Sequence, residues 1–186
     1  MRLFVALGIP EDIRAAIAAL ICELKPLDDS WKWTRAENLH VTLKFLGEIP
    51  SDKLEGLKEA LRRVDSGWPM AVKFGGLGFF PDGRKPRVLW VGMEAPLSLR
   101  TLARAIGEAV AKVGAPQEER EFTPHLTLAR NKDGRVSERL RSALAKHSSS
   151  QFGEMNASAF HLMESKLKST GAEYTTLESF PGARER

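Results

Sequence analysis

The tetrapeptide His-x-Thr-Leu occurs twice, as His40-Val41-Thr42-Leu43 and as His125-Leu126-Thr127-Leu128, in a chain with only four histidines. In a strand, residues i and i+2 share a face. Each copy therefore presents an imidazole beside a hydroxyl and turns two aliphatic side chains the other way. Two such strands facing each other would build a pseudo-two-fold site of two histidines and two threonines. That requirement constrains the fold more than any other feature of the sequence.

The pattern around the motifs repeats as well. Residues 2–9 read as a buried strand, and Pro10-Glu11-Asp12 opens a helix with Ile13, Ile17, Leu20, Ile21 and Leu24 on one stripe. Cys22 lies beside that stripe and is expected to be a semi-buried structural thiol. In the first motif strand, alternation puts Val41, Leu43 and Phe45 on an apolar face and His40, Thr42 and Lys44 on a polar one. Ser51 is the expected N-cap of a helix reaching about Val64. Met70–Phe80 reads as a strand whose glycines, Gly75, Gly76 and Gly78, mark a bulge, because no Gly-Lys-Ser/Thr follows them. Pro81-Asp82-Gly83-Arg84-Lys85-Pro86 is a basic loop. Then come a strand at Arg87–Met93, a helix at Leu97–Val113 ending on Gly114, the second motif strand and a helix from Ser137 to about His147. Two closing strands are predicted at Phe152–Leu167 and Glu173–Phe180, followed by a frayed tail. His40 maps onto His125 at an offset of 85, and the same offset carries Leu3–Val5 onto Val88–Trp90. The chain reads as one two-lobed domain with repeat-like halves at about 1–86 and 87–186.

Composition limits the alternatives. With 186 residues, 42% hydrophobic and 28% charged, the chain is long enough for one well-filled core. No apolar run is long enough to span a membrane, the opening residues stop short of a signal peptide, and one cysteine excludes an internal disulfide framework. A cytoplasmic monomer without an obligatory protein partner is the expectation. The net charge of +4 suits a phosphate-bearing partner.

Histidine both gives and takes protons near neutrality, so two across a cleft can act as acid and base in a single step. Threonine two residues on adds a hydroxyl suited to a phosphoryl oxygen, and phosphoryl transfer needs positioning and charge more than a nucleophilic side chain. This combination points to a cyclic or activated phosphodiester. On spacing alone the two histidines are interchangeable. His147, at a helix end, and His161, within a strand, read as structural. Trp31, Trp33, Phe79 and Phe80 are candidate base-stacking residues that more often belong to a core.

The paired motifs, the opening Arg2-Leu3-Phe4-Val5-Ala6-Leu7, the runs Glu37–Gly47 and Pro86–Trp90, and Phe122-Thr123-Pro124-His125-Leu126-Thr127-Leu128-Ala129-Arg130 resemble the bacterial and archaeal RNA 2',3'-cyclic phosphodiesterases, first called 2'-5' RNA ligases, of the two-histidine phosphoesterase superfamily. The resemblance spans nearly the whole chain, including Tyr174–Pro181. It implies an α+β fold of two lobes, with antiparallel-rich sheets, outer helices and a central cleft carrying the two motif strands. It also implies hydrolysis of a terminal RNA 2',3'-cyclic phosphate to a 2'-phosphate without metal or cofactor. By this analogy His40 is the proton donor to the departing 3' oxygen, His125 the proton acceptor from water, and Thr42 and Thr127 hold non-bridging oxygens. Arg130 matches an arginine that follows the second motif in the family. Strict alternation puts it on the Leu126–Leu128 face, so it reaches the cleft only if the strand ends or bulges after Ala129. Lys44 falls on the cleft face by alternation and is a second substrate-binding candidate. The alternatives are an RNA ligase using the same groups, with RNA in place of water, and a module that binds RNA ends without turnover. A metallohydrolase would need a ligand cluster that the sequence does not display.

Overall fold

The computed structural model describes residues 1–82, 85–116, 121–169 and 171–182. Gly83 and Arg84 of the basic loop, and residues 183–186 of the expected tail, lie outside the described residues. In chain order the elements are β1 (Arg2–Leu7), α1 (Glu11–Leu24), β2 (Lys32–Trp33), β3 (Val41–Glu48), α2 (Leu54–Arg62), β4 (Met70–Phe80), β5 (Val88–Glu94), α3 (Leu97–Ala111), β6 (His125–Arg130), α4 (Glu138–Lys146), β7 (Gln151–Ala157), β8 (Ala159–Lys168) and β9 (Gly171–Pro181).

The strands form two antiparallel sheets, ordered β3-β1-β8-β9 and β2-β6-β5-β4-β7. The α+β architecture is as the sequence implies. Each sheet draws strands from both halves of the chain: β4 joins the second sheet, and β8 and β9 complete the first. The helices cross over too, with α1 packing on β7 of the second sheet and α3 on β3 of the first. One continuous core results, running from Leu3, Val5 and Leu7 through Ile13 and Ile17 to Leu89, Val91, Leu126, Leu128 and Leu162. This exchange ties the two sheets together, so neither lobe buries its apolar face alone.

Several expectations need correction. The strand expected over Phe152–Leu167 is two strands that break at Ser158 and lie in different sheets. No proline or glycine stands between Asn156 and Phe160, so the sequence does not mark the break. The helix expected from Ser51 begins as a 3₁₀ turn over Ser51–Lys53 and ends at Arg62, without a side-chain cap. Ser137 does cap α4, accepting a bond from the Leu140 N–H at 3.1 Å. Cys22 is exposed, because it falls just outside the Ile17–Ile21–Leu24 stripe.

The glycines of β4 mark a bulge, with the register slipping between Phe74 and Leu77 and Gly76 at φ +69°. Gly78 has a further reason: the Trp90 indole lies where its Cβ would be.

Candidate active site

The two motif strands repeat one irregularity. Thr42 pairs with Ala6 and Lys44 with Val5, which leaves Leu43 as an extra residue. In the other sheet Thr127 pairs with Trp90 and Ala129 with Leu89, which leaves Leu128 as an extra residue. Each motif leucine is thus a β-bulge, and each bulge reverses the alternation that follows it. From the histidine onward both strands show the same burial order: half-buried, buried, half-buried, buried, buried, exposed.

This slip decides two residues. Arg130 pairs with Val88, on the face shared by Trp90 and Thr127, so the bulge brings it to the cleft. The slip comes at Leu128, one residue before the place where the sequence argument required it. Lys44 moves the other way. It pairs with Val5 on the core face, is 8% exposed, and corresponds to Ala129 of the second strand. The cleft position expected for Lys44 therefore belongs to Phe45, which is 52% exposed and sits 6.4 Å from Phe4. The same register pairs Val5, not Phe4, at the position of Leu89, so β1 maps onto β5 one residue out of step with the motif offset.

Both histidines are held alike. His40 Nδ1 lies 2.7 Å from the carbonyl of Asn38, and His125 Nδ1 lies 2.8 Å from the carbonyl of Thr123, each two residues back. A carbonyl only accepts, so Nδ1 carries the proton and Nε2 is left as the exchanging nitrogen. Thr42 Oγ1 lies 3.0 Å from His40 Nε2, donating to it when the ring is neutral and accepting when it is protonated. Rings pack around each imidazole. Phe4 at 4.9 Å and Tyr174 at 5.3 Å flank His40, and Phe80 meets His125 edge-on at 5.0 Å.

Burial is the largest influence on both rings and holds each below the ordinary histidine value of about 6.5. The bonds to Asn38 and Thr123 oppose that shift. The Arg130 charge adds to it at both histidines, and Arg14 and His125 add to it at His40. One cation thus acts on both imidazoles, one on each sheet. Two proton-exchanging nitrogens, a hydroxyl beside one of them and a shared guanidinium suit an anionic phosphoryl centre.

Of the other sequence candidates, Phe80 touches the site, whereas Trp31 is buried against Phe79. His147 ends α4, bonded to Ser150 and Glu23. His161 pairs with Ala6 and Ser179, and its Nδ1 lies 2.8 Å from Ser179 Oγ. Phe4, Tyr174 and Phe45 were not legible as site residues, since only ring packing and the bulge put them there. Among the described residues no three His, Cys, Asp or Glu side chains gather as a metal-binding group, and no helix is long and apolar enough to cross a membrane.

The sequence profile of the 2'-5' RNA ligase superfamily matches residues 9–168. The chain belongs to that superfamily. It is 36% identical to the RNA 2',3'-cyclic phosphodiesterase of Archaeoglobus fulgidus, over 97% of this chain and 99% of that one. A solved Thermus thermophilus structure superimposes with a TM-score of 0.81 at 32% identity, covering 97% of each chain. Escherichia coli LigT complexed with 3'-AMP does so with a TM-score of 0.81 at 27% identity, covering 98% of each.

Proposed function

We propose that this chain is an RNA 2',3'-cyclic phosphodiesterase that opens the cyclic phosphate at an RNA 3' end to a 2'-phosphate. One observation carries the reading. Two imidazoles on matched, bulged strands each have Nδ1–H fixed on a carbonyl two residues back, and one arginine acts on both. The relatives named RNA 2',3'-cyclic phosphodiesterase support the substrate class.

In the reaction, His125 Nε2 takes a proton from water as the water oxygen bonds to phosphorus. The P–O3' bond breaks in line with that attack. His40 Nε2–H delivers a proton to the departing 3' oxygen. The ring-opened product keeps its phosphate on O2', and the two histidines end with exchanged protonation states. Thr42 and Thr127 bind the non-bridging oxygens, and Arg130 holds the charge that builds up there. Each Nδ1–H bond to its carbonyl fixes ring orientation and tautomer, so no reorganisation is needed during proton transfer. Water at bulk concentration competes with any RNA hydroxyl unless that hydroxyl is held at high effective molarity, which favours hydrolysis over ligation.

The test is incubation of a short RNA ending in a 2',3'-cyclic phosphate with the protein in excess EDTA, with the product identified by ³¹P NMR. The expected result is a 2'-phosphate at undiminished rate. A 3'-phosphate product, or loss of turnover on chelation, would overturn the proposed mechanism.

A further inference from the structure

Beyond the cleft, an open cavity of about 800 Å³ is lined by Lys85, Arg135 and Arg141 together with Asp133, Gly134 and Val136. Three segments converge there: the β4–β5 loop, the loop after β6, and α4. Lys85, Arg135 and Arg141 make no ion pair among the described residues. Other cations of the surface are paired with carboxylates, as at Lys58–Glu55, Arg62–Glu178, Arg100–Glu121 and Lys168–Glu173. Three cations and a single carboxylate, Asp133, share the lining, a balance that attracts an incoming anion.

The cavity is preformed. Asn131 is 5% exposed and braces the wall from inside. Its Oδ1 accepts from the Asp133 and Gly134 N–H groups, at 2.7 and 3.2 Å, and its Nδ2 donates to Arg135 O at 2.9 Å and Ser30 Oγ at 3.0 Å. Gly134 sits at φ +67°, where a Cβ would meet Lys85 at 2.8–2.9 Å. The loop and the Lys85 backbone are therefore locked together. Asn131 directly follows Arg130, and its N–H bonds to Arg87 O at 2.9 Å. The buried brace of the cavity wall thus directly follows the arginine that acts on both catalytic histidines, and the lining itself starts at Asp133.

We infer that this cavity is a second, non-catalytic phosphate subsite, which holds an internal phosphodiester of the RNA strand whose cyclic end lies in the cleft. The inference rests on the RNA phosphodiesterase reading. It implies that the enzyme is adapted to RNA ends rather than to cyclic mononucleotides.

The experiment compares wild type, Lys85→Gln/Arg135→Gln/Arg141→Gln and a control with equal charge change, Lys53→Gln/Lys58→Gln/Arg63→Gln on and beside α2. Hydrolysis is measured on a cyclic-ended oligoribonucleotide and on a 2',3'-cyclic mononucleotide. Binding of the labelled oligonucleotide product is measured by anisotropy across a salt series. The expected result is a roughly tenfold rise in KM for the oligonucleotide in the first variant alone, with the mononucleotide within about twofold. The salt slope of binding should fall by about 0.7 for each phosphate that is no longer neutralised. A neutral methylphosphonate at an upstream linkage should weaken wild type and leave the variant unchanged. Equal effects in the control triple, equal losses on both substrates, or an unchanged salt slope would overturn the subsite. So would insensitivity to methylphosphonate combined with competition by inorganic phosphate, because the cavity would then take a free anion. If wild type hydrolyses neither substrate but the variant still loses binding slope, the catalytic reading fails while the subsite stands.

Discussion

β3 and β6 carry the same motif, bulge and burial order, yet differ at the position the bulge delivers to the cleft. In the first sheet that position is Phe45, and in the second it is Arg130. The core-face position before it differs as well, Lys44 against Ala129. The surroundings of the histidines follow suit: His40 lies deeper, between Phe4 and Tyr174 and bonded to Thr42, whereas His125 is more open against Phe80. The repeated backbone places two imidazoles in equivalent positions, and the side chains around them differ.

The largest effect should come from either histidine. His40→Ala and His125→Ala should each lower kcat by about 10²–10⁴-fold on cyclic-ended RNA, in single-turnover assays. Full activity in either variant would break the symmetry argument.

Arg130→Ala should cost about 10²-fold in kcat/KM, with Arg130→Lys recovering part of it, because a lysine keeps the charge but loses the fork geometry. Phe45→Ala should mainly raise KM. A larger loss at Phe45 than at Arg130 would reverse the proposed division between the two sheets.

The pH profile sharpens the same contrast. Both histidines lie below their ordinary value, so the optimum of kcat/KM should fall below about pH 6.5. The Arg130 charge disfavours protonation of both rings, and its removal favours it. In Arg130→Ala both limbs should therefore move to higher pH. A shift to lower pH, or of one limb only, would contradict shared action.

The threonines should cost less, about tenfold each for Thr42→Val and Thr127→Val, the scale of one hydrogen bond. The smallest effect is expected at Lys44. On the core face opposite Val5, Lys44→Met should leave kcat/KM within about twofold, read beside a melting curve. A catalytic loss with unchanged stability would return Lys44 to the cleft.

Much of this was legible in the sequence. The helix stripes at Ile13–Leu24 and Leu99–Val110, the bulge glycines of β4 and the four motif side chains all follow from local periodicity and repetition. The bulges at Leu43 and Leu128 do not. A bulge is fixed by the partner strand's register, and leucine fits either face, so plain alternation misplaced Lys44 and Phe45 and left Arg130 unresolved. The break at Ser158 was hidden for a related reason, since β7 and β8 are both strands and only sheet membership separates them.

The most direct test of the division of labour is a cyclic 2',3'-phosphate in which sulfur replaces the 3' bridging oxygen. A thiolate leaves without needing a proton, because its conjugate acid is far stronger than an alcohol. The account predicts that this substrate restores most of the activity lost in His40→Ala and none of that lost in His125→Ala. Rescue of His125→Ala instead, or of neither variant, would contradict it.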